Sequence, residues 1–293
     1  MSSQRVVTVD IMGGLGNQLF QIFACMAYGL RTDRKIIFPF FDDQYNERIN
    51  VLRVTYWDTL LKTIKHLTTL NCNENELKDL SVRFKYIEPG FKFTPIPSCP
   101  ANHLLLHGYF QSYKYFEEHY DTICSLINFP TQVLIVKNTY PQYFNENVRT
   151  ISMHFRLGDY VRLQDIHPLM PVEYYVQALR YVLIRQNGAS CNVLYFCEEH
   201  DISMVSVMIQ QIQILVKGVT FVRIDPSISD WEQMLLMANC HDNIIANSTF
   251  SWWGAYLNQT PKKIVCYPSK WFGPRAKHNT SDLFPDKWQS IVW

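Results

Sequence analysis

Residues 150–160 read Thr150-Ile151-Ser152-Met153-His154-Phe155-Arg156-Leu157-Gly158-Asp159-Tyr160, a strand-like run that ends in an arginine and turns through Gly158. The β-branched and apolar start predicts a strand over 150–155 whose carboxyl end opens on a polar turn. A second run repeats the arrangement. Asn243-Ile244-Ile245-Ala246 is strand-like, and Asn247-Ser248-Thr249-Phe250-Ser251-Trp252-Trp253-Gly254 follows with hydroxyls where a helix would begin. An arginine at the end of a buried strand needs an anion, because a desolvated guanidinium is costly when unpaired. Its planar fork suits a phosphate or carboxylate held at two points. Read alone, Arg156 could equally form a salt bridge with Asp159. Taken with the hydroxyls of Ser248 and Thr249 at a helix N-terminus, it suggests a nucleotide-diphosphate site.

The same alternation runs along the chain and predicts parallel α/β layers. In the second half, strand-like runs at 150–155, 192–197, 219–224, 243–246 and 263–268 alternate with helical runs near 171–186, 200–216, 229–240 and 248–258. Arg156, Glu198, Asp225, Asn247 and Pro268 sit just after these strands, where open α/β sheets bind ligands. In the first half, 6–12 reads as a strand, Gly13-Gly14-Leu15-Gly16 as a turn and 17–31 as a helix. Strands are expected at 35–40 and 104–110, with a helix around 113–127. Residues 41–100 are less regular, and Pro89, Pro95, Pro97 and Pro100 indicate a long connection. The boundary falls within 130–149, around Pro130, Pro141 and Asn145-Glu146-Asn147, which divides the chain into 1–140 and 141–293.

With 47% hydrophobic and 18% charged residues the chain has material for substantial cores, and disorder is not expected. Twenty-seven basic against 26 acidic side chains leave a net charge of +1, so there is no electrostatic footprint for nucleic acid or an anionic membrane. Any phosphate recognition must be local. The eight cysteines are scattered without a CxxC pair and read as reduced, packed thiols. Sequons occur at Asn247, Asn258 and Asn279, and glycosylation of Asn247 would block the candidate site. No leader is visible and no stretch approaches the roughly 18 apolar residues of a membrane span. A soluble, cytoplasmic protein is the expectation.

Other motifs carry plainer readings. Gly13-Gly14-Leu15-Gly16-Asn17-Gln18 opens a helix after the first strand, and Asn17 is a candidate cap. It is not a dinucleotide fingerprint, since Leu19 stands where the third glycine belongs, although Asp42 or Asp43 could imitate the ribose-binding acid. Asp42-Asp43 and Glu198-Glu199 lack the spacing of a metal site and read as solvated loop acids. His103 and His107 flank an apolar strand and read as packed or hydrogen-bonded. Trp252 and Trp253 could form a sugar-stacking platform, but on a helix after Asn247 they read more readily as core.

These tracts together resemble the α-1,2-fucosyltransferases of glycosyltransferase family eleven. The resemblance rests on 13–21 (Gly-Gly-Leu-Gly-Asn-Gln-Leu-Phe-Gln), Gly108-Tyr109-Phe110-Gln111-Ser112, His154-x-Arg156-x-Gly158-Asp159-Tyr160 and the tract 247–254, with echoes in Glu173-Tyr174-Tyr175 and Pro268-x-x-Trp271-Phe272. It implies a GT-B-type α/β enzyme with two Rossmann-like domains facing across a cleft, the N-terminal one on the acceptor side and the C-terminal one binding the GDP-sugar. The implied reaction is inverting transfer of L-fucose from GDP-β-L-fucose to the 2-hydroxyl of a terminal galactose on a glycan acceptor, with no metal or other cofactor. Arg156 would contact the diphosphate, with Glu198, Asn247, Ser248, Thr249 and Phe250 around the donor. Gly14, Gly16, Asn17 and Gln18 would face the reaction centre. His154, Asp159 and a carboxylate of the first domain are the conceivable bases. Two positions depart from the family pattern: Leu157 replaces a second arginine, and Cys197-Glu198-Glu199 stands where many members have Ser-Asp-Asp. Members from secretory pathways carry a membrane anchor and stem before the catalytic domain; with a glycine turn at residue 13, neither is expected here. Competing readings are a non-catalytic GDP- or glycan-binding protein, a fucosyltransferase for another acceptor, and an NAD-dependent oxidoreductase, weakened by Leu19.

Overall fold

A computed structural model describes residues 4–41, 43–46, 51–81, 83–187 and 190–293. The chain forms two compact units, one of Met1–Pro130 with His278–Pro285 and one of Thr131–Lys277 with Asp286–Trp293. The crossing at Pro130 and the return at His278–Pro285 differ from a single break between 140 and 141. The prolines and polar residues of 130–149 suggested a linker, but α4 (Phe129–Thr139) spans much of it. Pro130 lies in the first turn of that helix, where no N–H is needed. Asp42, the proposed ribose acid, lies outside the described residues.

In the first unit the strands are β1 (Val6–Val9), β2 (Lys35–Ile36), β3 (Asp43–Asn46), β4 (Val51–Val54), β5 (Phe84–Ile87) and β6 (His103–His107). Four form a parallel sheet in the order β2-β1-β6-β5, and β3 pairs antiparallel with β4. Helix α1 (Leu15–Thr32) buries Leu19, Phe20, Phe23 and Ala27 at helical spacing. At Gly29 an added Cβ would fall 2.5 Å from Ile36 and 3.3 Å from Val7, so the glycine lets this helix lie close on the sheet. Helices α2 (Glu74–Ser81) and α3 (Tyr120–Ile127) complete the unit. The expected strand at 104–110 stops at His107, because the backbone turns at Phe110 with φ +51°. Strand β5 escaped the sequence pattern because its edge position leaves Phe84, Lys85 and Ile87 exposed without clean alternation.

The second unit holds β7 (Arg149–His154), β8 (Cys191–Phe196), β9 (Val219–Arg223), β10 (Asp242–Ile244), β11 (Val265–Pro268) and β12 (Gln289–Ile291). They form one parallel sheet in the order β12-β11-β10-β7-β8-β9. Helices α5 (Val172–Arg185), α6 (Ile202–Leu215), α7 (Asp230–Ala238) and α8 (Thr249–Leu257) form the expected crossovers. At the amino edge the buried Asp242 accepts from Arg149 (2.7 and 3.1 Å) and from the Ile264 N–H (2.8 Å), fixing the central strands against each other. The chain proceeds from β7 to one side, then returns to its other side at β10, so the strand order reverses between them. That is the position where doubly wound sheets leave a crevice at their carboxyl edge.

All eight cysteines are unpaired, and six are buried. Asn247 and Asn258 are buried, which disfavours them as glycosylation acceptors. Among the described residues no helix is long and apolar enough to cross a membrane.

Helices α7 and α8 touch at Gly254, where a Cβ would lie 2.7 Å from the Met237 Cβ and 3.3 Å from the Met234 carbonyl oxygen. The clash involves atoms that cannot rotate away. It outweighs the gain of roughly 1 kcal/mol in helix propensity from alanine. Gly254→Ala should therefore destabilise the second unit by about 1–3 kcal/mol, read as a lower melting temperature. An unchanged or higher melting temperature would show that the helices have room to separate.

Candidate functional site

At the carboxyl edge of β7 the backbone passes through His154, Phe155 and Arg156 into a 3-10 turn over Gly158–Arg162. Phe155 and Leu157 are buried in the core, so the alternation of the extended chain turns Arg156 outward. Its side chain is about four-fifths buried and has two carboxylate partners. Nη2 donates to Asp159 Oδ1 at 2.6 Å, and Nη1 pairs with Glu198. It also lies over the Tyr160 ring, 5.1 Å from its centroid. The salt bridge anticipated with Asp159 is therefore present, and Glu198 from the end of β8 joins it.

The turn is tightly specified. Gly158 has φ +37°, and an added Cβ would come within 2.9 Å of Glu198 Oε2. Its N–H donates to the buried Asp201 at 2.8 Å. Asp201 was not picked out in the sequence, because nothing local distinguishes it from its acidic neighbours. The Tyr160 hydroxyl donates to the Asn247 carbonyl oxygen at 3.3 Å, and its ring stacks on His167, which in turn meets Phe272. Asn247 donates to the carbonyl oxygens of Pro168 (2.9 Å) and Trp271 (3.2 Å). The tracts at 154–160, 247–250 and 268–272, far apart in sequence, are thus bonded into one edge. Glu173-Tyr174-Tyr175 supports it from behind: Tyr175 donates to the His154 carbonyl oxygen at 3.0 Å, and Tyr174 to that of Ile245 at 2.5 Å.

Helix α8 begins beside this edge. Ser248 is its N-cap, and the side chain accepts from the Phe250 N–H at 3.3 Å. Thr249 and Phe250 form its first turn, and the Phe250 ring lies 5.4 Å from that of His154. His154 is buried, and the Nδ1 atom of its ring and the Asn247 Oδ1 atom have no hydrogen-bond partner. Burial and the nearby guanidinium push the His154 pKa down to about 3, so the ring is neutral.

Glu198, His200 and Asp201 bring three possible metal-ligand atoms within 4.8 Å of one another. Glu198 already pairs with Arg156 and Asp201 with the Gly158 N–H, and His200 Nε2 lies 3.1 Å from Glu198 and 3.5 Å from Asp201. Asp225, just beyond β9, accepts from Ser227 and caps its own turn.

In the first unit the glycine turn and the tract 108–112 meet at the carboxyl edge of β1 and β6. Helix α1 starts at Leu15 with Gly14 as its cap, so Asn17 is the third helical residue and not the cap. The extended Gly14 lets the helix start directly, and Gly13, at φ +78°, leaves space for Asn17, whose Nδ2 would lie 2.6 Å from an added Cβ. Asn17 Oδ1 accepts from Gln111 Nε2 at 2.9 Å. Gln18 donates to the carbonyl oxygens of Gly13 (3.0 Å) and Val54 (2.8 Å), which makes it a brace of the turn. His107 pairs with Asp10 at 2.7 Å, the hydrogen-bonded histidine anticipated.

The model of the glycosyl transferase family 11 matches residues 1–291. The chain is 29% identical to the O-antigen biosynthesis glycosyltransferase WbnK of Escherichia coli, an alignment covering 96% of this chain and 99% of that protein. It is 27% identical to an α-1,2-colitosyltransferase of Escherichia coli (98% and 99% covered). Identity to a galactoside 2-α-L-fucosyltransferase of Caenorhabditis elegans is 23% (98% and 79% covered). Among solved structures, that of POFUT1 in complex with GDP superposes with a TM-score of 0.52 at 12% identity, covering 90% of this chain and 98% of that one. This likeness agrees with the pair of Rossmann-like sheets and a GT-B-type fold.

The neutral state of His154 has a consequence for stability. An unfolded histidine takes up a proton near pH 6.5, whereas the folded ring resists until about pH 3. Its contribution is complete above pH 6.5 and is lost progressively as pH falls through that window. In urea titrations the wild type should lose stability with acidification more steeply than His154→Phe, by up to about 1.4 kcal/mol per pH unit. Parallel slopes would mean that the folded ring is readily protonated.

Proposed function

Because the chain is a member of glycosyl transferase family 11, we propose that it transfers L-fucose from GDP-β-L-fucose to the 2-hydroxyl of a terminal galactose, with inversion and without a metal. The observation that carries this reading is Arg156 at the point where the second sheet reverses its strand order, beside the N-terminus of α8. A guanidinium already paired with two carboxylates offers the same fork to a diphosphate, and helix N–H groups favour the same charge. The relatives' names support the linkage more strongly than the sugar. One is named for α-1,2 transfer of colitose and another for fucosylation at the galactoside 2-position, so the two share the linkage and differ in the group moved. A non-catalytic binding role gains no support from any of these names.

Cleavage of the sugar–phosphate bond builds positive charge on the sugar and negative charge on GDP. Arg156 would stabilise the leaving charge, assisted by N–H groups at the start of α8 and the Thr249 hydroxyl. The Ser248 hydroxyl caps the helix and so holds those N–H groups in place. The acceptor oxygen attacks the anomeric carbon from the opposite face and gives up its proton. His154 is a poor base for that proton, being buried beside a cation with its pKa near 3. Asp159 is hydrogen-bonded to Arg156, so we assign it to orienting the guanidinium. A loose, oxocarbenium-like transition state lessens the demand for a strong base. Glu198, a carboxylate unsuited to contacting a diphosphate directly, would act through Arg156. Asn17 and Gln111 are the first unit's candidates for orienting acceptor or leaving group.

Incubation with GDP-fucose and galactose, lactose or N-acetyllactosamine should release GDP and give an α-1,2-linked product by NMR, with the rate unchanged in excess EDTA. Transfer from another GDP-sugar alone would replace the donor assignment, and a product linked elsewhere would remove the acceptor assignment. Loss of rate in EDTA with recovery on adding manganese would point to the Glu198-His200-Asp201 cluster.

Arg156→Lys should retain the fold and lose about 3 kcal/mol of transition-state stabilisation, roughly a hundredfold in rate, since an ammonium cannot reproduce two-point contact. Near-normal turnover would make the arginine structural.

A further inference from the structure

One carboxylate of the first unit, Glu88, is bonded to backbone and, among the described residues, not to a charged partner. Glu88 follows β5, and its own N–H donates to the His107 carbonyl oxygen at 2.8 Å, continuing the ladder with β6. Its Oε2 accepts two backbone N–H groups, from Tyr109 and Phe110, each at 2.9 Å. Its Oε1 accepts from the Tyr115 hydroxyl at 3.2 Å. A Cβ at Gly108 would lie 2.4 Å from the Glu88 Cβ, so the glycine keeps the space this side chain fills. Burial pushes the Glu88 carboxyl above its ordinary pKa, a desolvation that a freely solvated surface acid escapes.

The turn gripped by this carboxylate is one that an ordinary residue avoids. Phe110 has φ +51°, in the left-handed region, and its side chain is completely buried. A residue in that conformation persists only when its surroundings hold it. The next residue, Gln111, is nearly buried and donates to Asn17. Ser112 then anchors the turn by donating to the Asp282 carbonyl oxygen at 2.6 Å. The direction of the Gln111 side chain is therefore set from both sides, by Glu88 before it and by Ser112 after it.

We propose that Glu88 is a positioning residue for the transfer reaction: by clamping the Tyr109–Phe110 turn it aims Gln111 at Asn17 and so fixes the Asn17 side chain in the glycine turn. The inference rests on the transfer reaction proposed above, with Asn17 facing its reaction centre. Glu88 itself touches no reacting atom and moves no proton.

The test compares the full-length wild type with Glu88→Ala, Glu88→Gln, Gln111→Ala and the double variant Glu88→Ala/Gln111→Ala. Rates are read with GDP-fucose and lactose, GDP affinity by calorimetry, and amide exchange over residues 104–114 by mass spectrometry. Glu88→Ala should lower kcat about tenfold to a hundredfold while GDP affinity stays within about twofold, as expected when geometry and not donor binding is lost. Glu88→Gln should recover to within about threefold of wild type, because its amide oxygen can still accept both N–H groups. The double variant should be no more than about twofold worse than the poorer single variant, since both act through one contact. A kcat for Glu88→Ala within about twofold of wild type would overturn the proposal. So would a Glu88→Gln as impaired as the alanine variant, which would assign the carboxylate to proton transfer, or single effects that multiply. Should Glu88→Ala fail to fold, Tyr115→Phe takes its place: a fall in kcat of about threefold or more supports the clamp, and an unchanged kcat overturns it. If the wild type transfers no sugar, the proposed reaction itself has failed, and amide exchange then judges the clamp. Exchange at Tyr109 and Phe110 about tenfold faster in Glu88→Ala than in Glu88→Gln sustains it, and equal exchange refutes it.

Discussion

A guanidinium at the mouth of a parallel sheet must have anions around it, and the second unit is arranged to meet that demand at Arg156. Alternation along the chain buries Phe155 and Leu157 and turns Arg156 to the polar edge. Asp159 is in reach only because Gly158 turns the chain, and Gly158 is held there by Asp201. Glu198 arrives because β8 pairs in register with β7, with Phe196 opposite His154. The tyrosines of α5 fix the carbonyl oxygens at the ends of β7, β10 and β11. Each contact is ordinary, but removing one loosens the fork that the rest position. Such a pair contributes little net stability once desolvation is counted, so its value lies in the orientation it gives.

The first unit solves a different problem at the corresponding edge. Its precision comes from backbone turns held by side chains. Gln18 braces the glycine turn, Glu88 holds the turn after β6, and the two turns meet in the bond between Gln111 and Asn17. The left-handed Phe110 matters most here. Its strain, on the order of 1–3 kcal/mol, is tolerated because two N–H bonds and a buried aromatic ring offset it. An element that exists only through such compensation has one accurate geometry.

How much of this was legible in the sequence follows from the range over which each feature is determined. The parallel sheet of the second unit was readable because each buried strand is a short apolar run ended by a polar residue, and Arg156 could be singled out by its place after such a run. The tryptophans of α8 read correctly as core, since both are fully buried. Where the determinant lay elsewhere, the reading failed. Asn17 looked like a cap, but the helix begins three residues earlier than it would need to, with Gly14 in the capping position. Glu88 and Asp201 act on backbone N–H groups 21 and 43 residues away, which no local pattern encodes. The return of His278–Pro285 to the first unit is held by contacts such as Ser112 with Asp282, again remote in sequence.

Leu157 shows how the family pattern and the physics of this chain bear on each other. The family resemblance implies a second arginine there, whereas Leu157 is only 2% exposed and belongs to a core cluster of the second unit. A charge at that depth would need its own anion, and the described neighbours of Leu157 in that cluster are apolar. The leucine thus strengthens the core under the turn and leaves Arg156 as the guanidinium of this tract. A diphosphate bound here would have one charged fork, with helix N–H groups and hydroxyls supplying the rest. Those neutral donors are weaker individually than a second guanidinium, but they are preorganised by the fold and need no counter-ion. With one guanidinium in this tract, the placement of Arg156 by Asp159 and Glu198 decides where its charge can act.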